Sequence, residues 1–281
     1  MILQRILLIT TIFSLTACKP TSETIISKLN VGVVSYGKSE VSLRQYADFE
    51  KYMGEQLNSV IEIEPVYNEV KALEQVTKKK WDVVFAPPGL AAIAISQYNY
   101  LPIAPLEGRN KTRSVIIVKN NSKFEQRRDL VGQTIALGQK GSATGYYLPI
   151  YNLYGVKFSR ILYAPTPQHI LQWIDEDKVV VGALSVQEYN LYRRNFSPNR
   201  FKVIHLDEHP VPSGAVLISD RLEKEQEDKI TVALIQTPSF ISSSVGFLPK
   251  EKLPDYNYLN QVINRVQEIS EDALPTSDLT N

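Results

Sequence analysis

Cysteine is all but missing from this chain: one, Cys18, stands in 281 residues. A single thiol excludes an intramolecular disulfide and any zinc set built from several thiolates. An excess of either charge is missing too. Residues 1–17 hold one charged side chain, Arg5, and beyond them 30 basic residues face 30 acidic ones. Nucleic-acid binders carry a basic stripe along the phosphate backbone, so this balance argues against DNA or RNA as a partner. Any anion site must then be local, built from a few donors. After Cys18 no run reaches the roughly 18–20 apolar residues of a membrane span. Internal repeats, low-complexity tracts and heptads are absent as well.

Enzyme constellations are equally scarce. The chain has no GxSxG elbow, no HExxH and no glycine-rich dinucleotide fingerprint. His205-Leu-Asp207-Glu-His209 spaces two histidines four apart, but the first falls in an apparent strand and Pro210 follows the second. That stretch reads as a solvated loop, not a metal site. His169 has no cysteine to share a metal with. The expectation is a non-enzyme with neither cofactor nor metal.

What is present begins with the N-terminus. Arg5 precedes an apolar run, Ile6 to Leu15, too short to cross a bilayer, and Leu15-Thr16-Ala17-Cys18 closes it. Small residues before a cleavage point are ordinary, whereas a cysteine directly after Ala17 resembles the bacterial lipoprotein signal. The resemblance implies that the Cys18 thiol is lipidated and becomes the mature N-terminus. Residues 18–27, polar and rich in Ser and Thr, then read as a tether.

From residue 28 onward strands and helices alternate. Val60 to Val66 and Trp81 to Ala86 read as strands after a first one at Asn30–Ser35. Leu43, Tyr46, Phe49, Met53 and Leu57 recur at helical steps, and Glu69 to Lys80 forms a second helix. A second series has strands near 134–137, 161–164, 179–184 and 201–206, with helices near 145–155, 167–174 and 185–194. This alternation predicts parallel sheets covered on both faces. Ser114–Val118 and Ala215–Ile218 break the pattern, and each lies at a junction between series. The fold class expected is α/β, in two lobes joined by two crossing segments. Lobe 1 takes 28–112 plus 213–281, including the C-terminal helices, and lobe 2 takes 113–212.

Ligands in such sheets bind beyond the carboxyl ends of strands. Four junctions fall there: Tyr36 after the first strand, Pro88 and Gly89 after the third, Ser185 after Leu184, and Gly138-Gln-Lys-Gly-Ser142-Ala143-Thr144-Gly145. The last is rich in glycine and hydroxyls and opens a helix, so it can offer backbone N–H groups and two hydroxyls to one anion. The competing reading is that Ser142 only caps the helix. Tyr146, Tyr147, Tyr151 and Tyr154 around it read as packing.

These segments resemble a family. Val31-Gly-Val-Val, Asp82-Val-Val-Phe-Ala-Pro87, Ser114–Val118, Asp129-Leu-Val-Gly132, Gly141-Ser-Ala-Thr-Gly145 with Pro149, and Val211-Pro212-Ser213 follow the order of periplasmic phosphate/phosphite/phosphonate-binding proteins of ABC transporters. The resemblance implies a type II periplasmic binding fold in which Ser142, Ala143, Thr144 and Gly145 hold an oxyanion, with Tyr36 as a first-lobe aromatic. It also implies ABC permease subunits as partners for a monomeric binding protein. Three positions depart from the family. Leu90 stands where a ligand-contacting Tyr is usual, and Pro167 and Gly214 stand where aminophosphonate binders place a His and an Asp. A small oxyanion such as phosphate or phosphite is therefore expected ahead of aminoethylphosphonate. The alternative is a ligand sensor of the same fold docking on a membrane signalling protein.

Overall fold

A computed structural model of the chain describes residues 27–35, 43–108 and 112–273, with the side chains of that last stretch described as far as residue 269. Cys18, the tether up to residue 26, and Tyr36 lie outside the described residues.

Two five-stranded sheets carry the fold. The first contains β1 (Lys28–Val34), β2 (Val60–Val66), β3 (Val83–Ala86), β4 (Leu101–Pro105) and β10 (Ala215–Ile218), in the order β2-β1-β3-β10-β4. The second contains β5 (Ser114–Lys119), β6 (Thr134–Leu137), β7 (Arg160–Tyr163), β8 (Val181–Ser185) and β9 (Phe201–Leu206), in the order β7-β6-β8-β5-β9. Wholly parallel sheets were the expectation, and here the structure differs. β1, β2 and β3 run parallel, but β10 enters antiparallel between β3 and β4. Likewise β6, β7 and β8 are parallel, and β5 lies antiparallel between β8 and β9. The two junction segments are thus internal strands, which explains why they are short and largely apolar: Ser114–Val118 and Ala215–Ile218 are buried on both faces.

The connections between the sheets pair with each other. Leu106 N donates to Gly214 O at 2.9 Å, and Thr112 and Val211 form an antiparallel bridge. Asp207, just before the second crossing, is buried and does not behave as part of a solvated loop. Its carboxylate accepts from Asn152 Nδ2 at 2.5 Å and from His209 N at 2.8 Å, while its own N–H donates to Ser114 O. His209 stacks on Tyr258, with ring centroids 4.1 Å apart. Among the described residues no group of three or more His, Cys, Asp or Glu is placed to hold a metal ion.

Three cores result. Outside the first sheet, Phe49 of α1 (Ala47–Leu57), Phe85 and Phe247 meet edge to face beneath helices α7 (Lys224–Ile235) and α8 (Ser239–Val245). Outside the second, α5 (Pro167–Asp175) buries Ile170, Leu171 and Ile174, with Tyr189 of α6 (Val186–Tyr192) beside them. The third core is shared by both sheets. It includes Val76 of α2 (Glu69–Thr77), Leu90 to Ala94 of α3 (Pro88–Tyr98), and Leu148 and Ile150 of α4 (Leu148–Asn152). Leu259, Val262, Ile263 and Val266 of α9 (Asn257–Ala273) complete it. Helix α3 is apolar nearly all round because it is enclosed there. The C-terminal helix does not return to the first lobe alone, as its position in the chain suggested. α9 packs on α3 of the first lobe and on α4 of the second.

Candidate functional site

The carboxyl ends of β6, β7 and β8 meet on one edge of the second sheet, facing the first lobe. The cleft there is lined, among the described residues, by Gly138, Gln139, Ser142 and Gly145 after β6. Ala164, Pro165, Thr166, Pro167 and Ile170 line it after β7, and Leu184 and Glu188 around the end of β8. Glu69 lines it from the other lobe.

The loop after β6 closes on itself, with Gly138 N donating to Gly145 O at 2.8 Å. An α-helix was expected to follow, but the first turn, Ala143–Tyr147, is a π-helix. Tyr146 N and Tyr147 N both donate to Ser142 O, at 3.2 and 3.1 Å, which spreads the turn by one residue. Ser142 caps it: Oγ accepts from Gly145 N at 3.1 Å. That settles how two of the sequence candidates are placed. The Gly145 N–H is already used, and Ser142 Oγ, with one lone pair taken, still has its hydroxyl hydrogen to donate to an anion. The N–H groups of Ala143 and Thr144 belong to the first turn, which has no partner for them inside a helix. Thr144 is buried, and its carbonyl accepts from Ser114 Oγ at 2.7 Å, fixing the turn to β5.

Ser185 is buried between two residues that line the cleft, Leu184 and Glu188, and turns its own groups to a capping box. Its Oγ accepts from Glu188 N at 3.1 Å, and its N–H donates to Glu188 Oε2 at 2.8 Å. The group reaching the cleft from this junction is therefore Glu188, whose carboxyl is enclosed and held above the usual carboxylate range by burial, with Ser185 partly offsetting the rise.

Pro88 and Gly89 begin α3 and abut the candidate loop without lining the cleft. A Cβ on Gly89 would fall 2.1 Å from Gly141 O and 2.8 Å from Ala143 N. Gly141 itself has φ +114°, and a Cβ there would meet Glu69 Cβ at 2.8 Å. The lobes thus touch backbone to backbone at this seam, which only glycine permits. Of the three departures, Leu90 is fully buried in the shared core and Pro167 opens α5. Gly214 admits no side chain, since a Cβ would lie 2.2 Å from Ala86 O. Glu69, Gln139, Thr166 and Glu188 were not singled out as ligand contacts from the sequence. Gln139 lies inside the 138–145 segment and Glu188 one turn after Ser185, whereas Glu69 and Thr166 become visible only when separate strand ends are brought together.

Two α/β lobes, paired crossings and a cleft at converging strand ends define a solute-binding protein of the type II periplasmic class. The family described as the periplasmic substrate-binding protein of phosphonate ABC transporters matches residues 31–239, and the chain belongs to it. Its members work outside the cytoplasm with ABC transporters and bind substrates. No helix among the described residues is long and apolar enough to cross a membrane. Solved structures agree on the fold. XAC2383 from Xanthomonas citri, bound to ATP, superposes with a TM-score of 0.71 at 19% identity, covering 88% of this chain and all of that one. PhnD1 from Prochlorococcus marinus, in complex with methylphosphonate, gives 0.67 at 18%, covering 86% and 99%. A binding component of a phosphonate transporter from Pseudomonas aeruginosa gives 0.66 at 16%, covering 89% and 91%. No curated protein sequence matches the chain significantly.

Proposed function

We propose that this protein captures a small oxyanion of the phosphate, phosphite or phosphonate class and delivers it to the permease subunits of an ABC transporter. It does so as a monomer hung from the membrane by a lipid on Cys18. The observation that carries this reading is the turn at 142–145. Ser142 contributes a hydroxyl and Ala143 and Thr144 contribute N–H groups at the positive end of a helical turn. Thr144 adds a second hydroxyl, and Gly145 positions the cap. Pro88 and Gly89 close the seam from the first lobe, and Ser185 holds Glu188 in the wall; Tyr36, outside the described residues, is proposed as a contact from its place in the sequence alone.

Micromolar capture requires about −8 kcal/mol, while one hydrogen bond to a charged group nets about 1.5–3 kcal/mol. Several donors must therefore converge, and closure of one lobe on the other supplies them. The test is a thermal-shift panel of phosphate, phosphite, methylphosphonate, sulfate and aminoethylphosphonate on the purified soluble body. Ligand at 100 times Kd adds about 2.7 kcal/mol of stability. A melting temperature indifferent to every oxyanion overturns the reading. Retention of Cys18→Ser protein in the membrane fraction overturns the anchor.

A further inference from the structure

Thr166 stands in the place of a capping residue before α5, yet its side chain does not cap the helix. A threonine there ordinarily accepts from a backbone N–H of the first turn. Here His169 N donates to Thr166 O at 3.1 Å, and the hydroxyl oxygen Oγ1 lies 2.8 Å from His169 Nδ1 instead. Thr166 lines the cleft together with Gly138, Ser142 and Gly145 of the anion turn. Among the described residues that lining carries no Lys, Arg or His. An imidazole thus reaches a wall without cations of its own through one hydroxyl group.

We propose that His169 is a positioning residue for the anion: its Nδ1–H donates to Thr166 Oγ1, so that the threonine hydroxyl hydrogen turns into the cleft. This rests on the oxyanion reading above and adds a residue that acts on the ligand from behind the cleft wall. A threonine hydroxyl has one hydrogen and two lone pairs. With Nδ1 bare, Thr166 spends that hydrogen on His169 and shows an oxyanion only lone pairs. With a hydrogen on Nδ1 the bond reverses, and the hydroxyl donates to the ligand. The neutral ring has a hydrogen on Nδ1 in one of its two tautomers, whereas the imidazolium always has one and lends its charge to the relayed bond. Protonation of His169 and binding of an anion therefore favour each other, by the same factor in both directions.

The charged groups around the ring are few. His169 meets Trp173 edge-on, with ring centroids 6.3 Å apart, and Lys178 lies 4.0 Å over the Trp173 ring. Of the strands packed on α5, β6 and β8 carry no titratable side chain, and Lys119 of β5 is paired with Asp177. Helix α6 brings Glu188, Tyr189 and Tyr192, with Glu188 held in the Ser185 capping box. On α5 itself Asp175 pairs with Arg200.

The test is calorimetric titration of phosphite and methylphosphonate over about pH 5–8, the range in which an ordinary imidazole changes charge. The proteins are the wild type, His169→Phe, His169→Asn, Thr166→Val and the double variant of Thr166→Val with His169→Phe, each checked for folding by a ligand-free melt. Comparing proteins at one pH removes the ligand's own ionisation, which is common to all of them. The affinity advantage of the wild type over His169→Phe should be about fivefold larger at the acidic end than at the basic end, the difference between a charge-assisted and a neutral hydrogen bond. His169→Asn, whose amide N–H can stand in for Nδ1–H, recovers part of the advantage and none of its pH dependence. In the Thr166→Val background His169→Phe loses most of its effect, because the hydroxyl it acts through is gone. An advantage that is constant across pH, or one that survives Thr166→Val undiminished, overturns this inference while leaving the oxyanion reading intact. Failure of the wild type to bind any oxyanion at any pH overturns the oxyanion reading itself.

Discussion

Gly89 and Gly141 occupy the point where the lobes come nearest, and each is tolerated only without a side chain. Gly89→Ala places a methyl 2.1 Å from Gly141 O, so the seam must open. The expected outcome is a ligand affinity at least about tenfold lower, equivalent to some 1.4 kcal/mol of lost closure, with a larger radius in solution scattering. Glu188 makes a different prediction at the same scale. Its folded pKa is raised, by burial first. The stability it contributes is therefore full below the ordinary carboxylate range and is lost as pH rises through the folded value. In ligand-free protein Glu188→Gln should remove that loss. Urea unfolding at acidic and neutral pH should show the variant gaining on the wild type as pH rises. The ion pair between buried Asp82 and Arg221 marks the opposite end of β3. Arg221 Nη2 donates to Oδ1 at 2.6 Å, and Asn30 N donates to Oδ2 at 2.8 Å. Asp82→Ala leaves the Asn30 N–H without its acceptor, while Arg221, 40% exposed, turns to water, and should cost about 1–3 kcal/mol in urea unfolding.

Elements were the scale at which the sequence was most legible. Val60–Val66, Thr134–Leu137, Phe201–Leu206 and Ala215–Ile218 stand as strands where their apolar runs put them. β4 was not recognised, because Pro102 and Pro105 lower its strand character. It forms at the edge of its sheet, where a missing N–H is tolerated. The π-turn at 143–147 carried no sequence signal, since spreading the turn depends on how Ser114 and the Gly138 loop hold it. The candidate site was legible as a set of strand ends, but its acidic wall was not, because Glu69 and Glu188 lie 119 positions apart and meet only across the cleft. Ser142 shows what the distinction between cap and ligand donor means in practice. Ser142→Ala should lose about 0.5–2 kcal/mol of stability with the cap and weaken ligand binding as well. Ser142→Asp keeps a good cap yet points a negative charge at the anion. A melting temperature near wild type with ligand binding abolished separates the two roles, whereas Ser142→Asp that still binds shows that the residue only caps.

At the scale of the whole molecule the shared core sets how far the lobes behave as separate bodies. A hinge confined to the crossings would let each lobe unfold on its own. Yet α3, α4 and α9 bury one continuous set of side chains between the sheets, and Ile263 of α9 is fully buried within it. The chain's two tryptophans allow a direct test, because Trp81 precedes β3 in the first lobe and Trp173 lies on α5 in the second. Single-tryptophan variants, Trp173→Phe and Trp81→Phe, report each lobe separately. If the shared core couples them, the two urea transitions, each referred to its own Ile263-intact parent, respond together. Adding Ile263→Ala, which removes buried volume worth about 2–5 kcal/mol, should then shift both by the same amount. A shift confined to the Trp81 signal would mean that α9 belongs energetically to the first lobe alone. Closure on a ligand would then be a motion about the crossings rather than a slide along the shared core.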